Sequence, residues 1–344
     1  MHKYQFTIFE YSDKINNSAS TKAIADCNKI FTDCGYHDYT LIVNNDSGRK
    51  LKFYLTAFFS IMKFLTKVEK GSLVGIQYPM LNNVFKYFIK VAKIKKIKFF
   101  CIIHDVESLR LGGTDLHLVK KEISNLYFYD LLIVHNDAML LWLKNQGVKR
   151  SMIPLKLFDY LKKTESAIPE KSSLTKTIVF AGNLAKSSFV YSLGEIYNWK
   201  FNLYGPNFNE RLTIGNNTNW LGVFSPDEIL DFLQGDFGLI WDGDSVTQSD
   251  AAWSNYLKYN NPHKLSLYIA AGIPVIAPKT SAIGQFIIEE NIGLLVNDLT
   301  DLNFINIKQE QYNVMRSNCL RIRKQITNGE YFKDALNVVE NHLS

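Results

Sequence analysis

The run NNPHKLSLYIAAGIPVIAP, Asn260–Pro278, places a proline, a histidine and a lysine at the head of a segment with helical period. Pro262 suits the first helical turn, where its missing N–H costs nothing. The other amides of that turn have no intrahelical partner and carry partial positive charge, so such an N-terminus receives a diphosphate readily. Lys264 adds a full charge and His263 a hydrogen-bond donor. The competing reading is a plain helix–glycine–strand joint, closed at Gly272, with its histidine and lysine exposed.

Three further segments offer chemistry. In IVFAGNLAKSS, Ile178–Ser188, a strand ends at Gly182–Asn183 and a helix follows, the turn at which doubly wound sheets hold phosphate. Gly182 would let the backbone approach an anion, and Lys186 would neutralise one; an ordinary turn has the same look. In CIIHDVESLR, Cys101–Arg110, His104 and Asp105 stand at a strand end. Asp105 suits a general base for a hydroxyl, with His104 as partner or alternative, or else the N-cap of the next helix. In DKINNSASTK, the small residues Ser18, Ala19 and Ser20 would admit a diphosphate, although helix capping explains the serines equally well. Asp242-Gly243-Asp244 imitates an Asp-x-Asp metal motif, but no third carboxylate completes a pattern and a polar loop is the simpler role. No P-loop, GxGxxG, GxSxG or HExxH occurs. The aromatics form no nucleic-acid module signature.

These residues need elements that present them together. Short apolar runs at Tyr4–Phe9, Tyr39–Val43, Leu73–Gln77, Phe99–Ile103 and Leu131–Val134 alternate with segments of helical period. A second alternation has strands at Thr177–Ala181, Phe201–Tyr204, Phe237–Trp241, Pro274–Ala277 and Gly293–Val296. That rhythm predicts an α/β chain of two Rossmann-like, doubly wound parallel domains facing a central cleft. Ligands of such sheets bind beyond the carboxyl ends of the strands, where the candidate residues stand. The expected division is an acceptor-side domain over 1–157, a polar linker over 158–175, a nucleotide-binding domain over 176–308 and a helical tail over 309–344.

Composition agrees with that plan. The 344 residues exceed one ordinary core and suit two domains. Hydrophobic residues at 47% and charged residues at 21% exclude a disordered chain. Four cysteines without CxxC or metal-like spacing fit a reducing, cytoplasmic setting. MHKYQFTIFEYSDK reads as a first strand rather than a targeting segment, and Phe53–Leu65 is too short and interrupted to span a bilayer. The net charge of +6 draws on lysines of the first half, at 63, 67, 70, 86, 90, 93, 95, 96 and 98. That surface suits a solvated helix face, phosphate-bearing ligands, or peripheral contact with the inner face of a membrane.

Taken in order and spacing, IIHDVESLR, FAGNLAKS, FSPDEILDFLQGDFGLIWDGD and YLKYNNPHKLSLYIAAGIPVI resemble the bacterial glucosyltransferase 3 family, which extends O-linked GlcNAc on serine-rich repeat adhesins, and related galactofuranosyltransferases. The resemblance covers essentially the whole chain, and only the last segment is specific by itself. It implies a GT-B fold, a UDP-sugar donor, a GlcNAc-modified Ser/Thr-rich protein acceptor, homo-oligomers (tetramer or dimer), and no metal or other cofactor. Carried over by position, it puts UDP contacts on the Ala19 region, Lys186, Phe224, and Pro262, His263, Lys264, Leu265, Ser266 and Leu267, with Asn183 in the same turn as Lys186. Phe224 stands where the family has tyrosine, and Lys186 where it has arginine, so a point charge replaces a bidentate fork. The expected activity is transfer of a hexose, glucose first, to that acceptor. Its alternatives are a galactofuranosyl or glucosyl transferase acting on a lipid-linked polysaccharide acceptor, and a non-catalytic glycan-binding partner. No nucleic-acid partner is expected.

Overall fold

A computed structural model describes residues 1–11, 19–44, 50–79, 83–162, 173–212, 214–247 and 252–344. The chain divides into two compact units, one of Met1–Leu109, Gly113–Lys156 and Tyr331–Ser344, the other of Arg110–Gly112 and Leu157–Glu330.

The first unit alternates β1 (Lys3–Tyr11), α1 (Ala19–Asp33), β2 (His37–Asn44), α2 (Lys50–Lys67), β3 (Leu73–Tyr78), α3 (Asn83–Lys93), β4 (Lys98–Ile103), α4 (Glu107–Arg110), α5 (Leu116–Leu126), β5 (Leu131–Val134), α6 (Asp137–Asn145) and β6 (Ser151–Pro154). Its six strands are parallel in the order β2-β1-β3-β4-β5-β6. β3, β4 and β5 read LVGIQY, KFFCII and LLIV, near-continuous apolar runs because helices cover both faces. The Phe and Tyr surplus fills this core: Phe6, Phe64, Phe88 and Phe99 form one ring cluster, and Phe31, Tyr36 and Phe100 another. Gly75 leaves room for the second cluster, for a Cβ there would lie 2.6 Å from Phe31 and 2.7 Å from Phe100.

The second unit carries β7 (Thr177–Ala181), β8 (Lys200–Tyr204), β9 (Thr218–Trp220), α7 (Ile229–Phe232), β10 (Phe237–Leu239), α8 (Ala252–Tyr256), α9 (His263–Ala270), β11 (Val275–Pro278), α10 (Gly284–Glu289), β12 (Gly293–Val296) and α11 (Gln309–Thr327), with 3-10 turns at Leu184–Lys186, Ser188–Glu195 and Leu299–Asn303. α12 (Glu330–Leu343) falls mostly in the first unit, where Phe332 meets Phe31 edge-on and Glu340 pairs with Lys3 at 3.0 Å. The second sheet is also parallel, in the order β9-β8-β7-β10-β11-β12. Counted within the unit this is 3-2-1-4-5-6, the Rossmann order, whose direction reverses between its first and fourth strands. In the first sheet the reversal lies instead between β1 and β3. The two halves are therefore both doubly wound α/β sheets but not copies of one topology.

Leu157, Phe158, Asp159 and Tyr160, at the head of the polar stretch 158–175, are buried in the second unit. Ser266 donates to the Phe158 carbonyl at 2.6 Å, and the Tyr160 amide donates to Ile326. Among the described residues, no helix is long and apolar enough to cross a membrane.

Candidate functional site

Where strand order reverses, crossovers leave to opposite sides and open a crevice beyond the carboxyl ends of the two central strands. In the second unit those strands are β7 and β10, which end at Ala181 and Leu239. The side chain that lies across this point is Lys264, from the first turn of α9. Its Nζ donates to Asp242 Oδ1 at 2.7 Å and to the Trp241 carbonyl at 3.2 Å, and stands 4.5 Å from the Phe180 ring centroid. A Cβ on Gly182 would be 3.3 Å from Lys264 Cε, so the glycine gives the lysine stem its path. Asp242, first residue of the Asp-Gly-Asp run, is thus an ion-pair partner, a role that spacing alone did not reveal.

Tyr268, one turn further along α9, fixes the base of the crevice. Its hydroxyl accepts from the Ala181 amide at 2.9 Å and donates to the Leu239 carbonyl at 3.3 Å, bridging β7 and β10. Its ring lies over Gly238, where a Cβ would come within 2.2 Å. Burial pushes the phenol pKa up, so the hydroxyl stays protonated and able to donate.

The turn after β7 is held just as firmly. Asn183 caps the Leu184–Lys186 turn by accepting from the Ala185 amide at 3.1 Å, and accepts from Asn207 Nδ2 at 3.1 Å. The Leu184 amide donates to Pro206, and the Gly182 amide to Tyr204. Gly205 has φ +137°, and a Cβ there would lie 1.8 Å from the Gly182 carbonyl oxygen. Only glycine lets the exits of β7 and β8 touch in this way.

Pro262 is the N-cap of α9, with φ −66° and ψ 134°, one position before the first helical turn in which its sequence placed it. The Leu265 amide donates back to its carbonyl, so the amides of His263 and Lys264 precede the first intrahelical bond. The His263 ring lies 5.2 Å from Tyr160 and 6.2 Å from Phe158. Leu265, Ser266 and Leu267 are buried, the Ser266 hydroxyl being the one given to Phe158. Lys186 is exposed on its 3-10 turn. Phe224 stacks on Phe232 at 4.4 Å and leans on Tyr204, beside the exit of β8. The fold therefore gathers Gly182, Asn183, Asp242 and Lys264 at the reversal, sets Phe224 one strand away, and turns Leu265–Leu267 into the support of α9.

In the first unit, His104 follows β4. Gln77 Nε2 donates to Asn28 Oδ1 at 2.7 Å and to the Ile24 carbonyl at 3.2 Å, which turns its Oε1 toward His104 Nε2 at 2.7 Å. The imidazole must then carry its proton on Nε2, leaving Nδ1 as the basic nitrogen. Burial lowers the His104 pKa to about 4, so the ring is neutral near pH 7. His135, at the end of neighbouring β5, is buried and hydrogen-bonded to the backbone of Ile103 and His104; desolvation lowers its pKa to about 3. Glu122 of α5 folds the loop beneath this point. Its carboxylate accepts from the amides of Glu107 at 2.9 Å and Ser108 at 2.7 Å, and from the Tyr78 hydroxyl at 3.0 Å. Asp105 is part-exposed in the same loop. Ser18 lies outside the described residues, and Ala19 and Ser20 open α1.

Gln77, Glu122 and His135 join the site only through the fold, and Asp242 enters it as an ion-pair partner rather than as part of a metal motif. For His135 and Asp242 a signal existed, since each closely follows a strand end. Gln77 and Glu122 act across distances that spacing does not encode.

Two family patterns account for most of the chain. Residues 5–157 match the N-terminal domain, and residues 178–339 the C-terminal domain, described as glucosyltransferase 3-like. The β-1,6-galactofuranosyltransferase WbbI of Escherichia coli K12 is 31% identical over 288 residues, 81% of this chain and 82% of that one. Glucosyltransferase 3 of Streptococcus gordonii is 25% identical over 328 residues, 92% and 93% of the two chains. Among solved structures, an alpha-glucosyltransferase (AGT) in complex with UDP superposes with a TM-score of 0.59 at 12% identity, covering 98% of this chain and 99% of the other, a likeness of fold. With the GT-B fold in both sheets and the family pattern in both halves, the chain belongs to the glucosyltransferase 3-like family of glycosyltransferases.

Proposed function

We propose that the chain transfers a hexose from a UDP-sugar, with the diphosphate held at the strand-order reversal of the second unit. The observation that carries this reading is Lys264, fixed by Asp242 across the carboxyl ends of β7 and β10. As the bond between the sugar C1 and the diphosphate oxygen breaks, negative charge grows on the leaving UDP. A preorganised ammonium and a helix N-terminus stabilise that charge more than they stabilise the ground state. Gly182 and Asn183 supply backbone close to the phosphates, Lys186 and Phe224 line the outer edge, and Pro262–Leu267 hold α9 in place. On the acceptor, a hydroxyl oxygen forms the new bond to C1 and its proton passes to Asp105, or to His104 Nδ1. No divalent metal is needed in this scheme, because Lys264 and the helix end supply the positive charge.

Two acceptors fit this reading. Glucose transfer to O-linked GlcNAc on a Ser/Thr-rich adhesin is the reaction that the resemblance to the glucosyltransferase 3 family implies. The higher identity to the Escherichia coli enzyme, 31% against 25%, favours a galactofuranosyl donor, and the alternative acceptor is a lipid-linked polysaccharide precursor. In either case the protein works as a homo-oligomer in the cytoplasm. Incubation with UDP-Glc, UDP-GlcNAc, UDP-Gal and UDP-galactofuranose, against a GlcNAc-peptide and a GlcNAc-lipid analogue, read by mass spectrometry, separates the two. A hexose added to the peptide alone selects the adhesin reading, and one added to the lipid alone selects the polysaccharide reading. No transfer and no UDP release from any donor would overturn both and leave a glycan-binding partner.

A further inference from the structure

Helix α2 carries large apolar side chains on its outer face as well as its inner one. Ile61, Phe64, Leu65 and Val68 face the core, while Leu55, Phe58, Phe59 and Met62, spaced i, i+3, i+4, i+7, are 50%, 54%, 65% and 43% exposed. Large side chains on the outer face of a helix mark a contact surface rather than a solvated one. Ile94, just beyond α3, is 82% exposed and Val91 is 50% exposed. The two helices pack on each other, and Lys95 ties them by donating to the Leu65 and Val68 carbonyls at the end of α2.

The charge around this face has one sign. Between residues 50 and 98 there are eleven lysines and a single acid, Glu69, which pairs with His2. Lys93 pairs with Asp130. Lys63, Lys67, Lys70, Lys96 and Lys98 are exposed and form no ion pair among the described residues. An exposed apolar stripe flanked by uncompensated lysines is complementary to a surface with apolar depth and negative headgroups. A second copy is the poorer fit, because a two-fold contact through this face would set lysines against lysines.

We infer that the α2 face, with Phe58 and Phe59 at its centre and Lys63 and Lys67 on its flank, docks on an anionic lipid bilayer as an in-plane contact. The inference stands apart from the sugar-transfer reading: vesicle binding without turnover would leave it intact, and turnover without vesicle binding would remove it alone.

The test is co-sedimentation of the full chain with phosphatidylcholine vesicles, with and without about 30% phosphatidylglycerol. Binding is expected only to the anionic vesicles, with release at about 0.5 M salt. Phe58→Ser with Phe59→Ser, and separately Lys63→Glu with Lys67→Glu, are each expected to weaken binding at least about tenfold, with circular dichroism unchanged. Phe59→Ser alone serves if a double variant does not fold. The inference is overturned by no binding to anionic vesicles, or by undiminished binding of the serine variants. It is equally overturned if those variants instead convert a larger species to a smaller one in sedimentation velocity, which would give the face to a second copy.

Discussion

Replacing Lys264 by alanine removes one charge from the strand-order reversal and leaves the helix beneath it in place. A unit charge about 4 Å from a phosphate is worth about 4 kcal/mol at the effective dielectric of a protein surface. The Lys264 side chain is 18% exposed and Asp242 already takes part of its field, so roughly half of that is a fair lower bound. Between about 2 and 4 kcal/mol, kcat/KM should fall roughly 30- to 1,000-fold. The fall should lie largely in kcat, since the interaction strengthens as the diphosphate leaves. Stability should change far less. The lost pair is part-exposed and worth about 1 kcal/mol or less, so Tm should drop by no more than roughly 2–4 °C. Continuous detection of UDP release, beside a thermal melt, measures both. Asp242→Asn removes the partner that fixes the lysine and also the charge that competes with the phosphate for it; the two effects oppose, so kcat/KM should change far less than in Lys264→Ala, by no more than about tenfold. Unchanged turnover in a folded Lys264→Ala protein would refute the reasoning, as would a loss explained by unfolding.

The remaining predictions concern the scaffold, pH and metal. Tyr268→Phe leaves the buried Ala181 amide without its acceptor and should cost about 1–3 kcal/mol in urea unfolding. Gly205→Ala forces a side chain into a left-handed position against the Gly182 carbonyl and should cost at least about 2 kcal/mol, or prevent folding, as judged by soluble yield and melting. His104 and His135 have folded pKa values lowered to about 4 and about 3, from 6.5, so unfolding takes up protons between those values. Their stabilisation is complete above about pH 6.5 and is lost as pH falls toward the folded values, by up to about 1.4 kcal/mol per pH unit for each ring. Urea midpoints between pH 7 and pH 5 should therefore fall less steeply in His135→Asn than in the parent. Chelation with EDTA should leave turnover unchanged, read as UDP release; abolition restored by a divalent cation would contradict the charge assignment at Lys264.

Much of this architecture is legible in the chain because its strands are short apolar runs buried on both faces. TIVFA and LLIV read as buried strands and are strands in the structure. β9 carries no apolar signal in the sequence, because Thr218–Trp220 is three residues long with two of them exposed. The buried Phe158–Tyr160 segment read as linker because the lysines that follow it dominate its composition. Lys264 was visible as a charge at a helix start, but its partner was not, since β10 and α9 meet through strand order, which is a non-local property. The same holds for Glu122, which binds amides 14 and 15 residues earlier in the chain. His104 illustrates the converse. Its place after a strand could be read, whereas its proton position depends on Gln77 and Asn28, brought to it from β3 and α1.

The most direct test of the central claim is calorimetric titration of the protein with UDP, UMP and uridine. If Lys264 and the start of α9 hold a diphosphate, UDP should bind at least about tenfold more tightly than UMP, uridine should bind more weakly still, and the UDP increment should vanish in Lys264→Ala. Equal affinity for UDP and UMP, or a UDP increment that survives that substitution, would contradict the account.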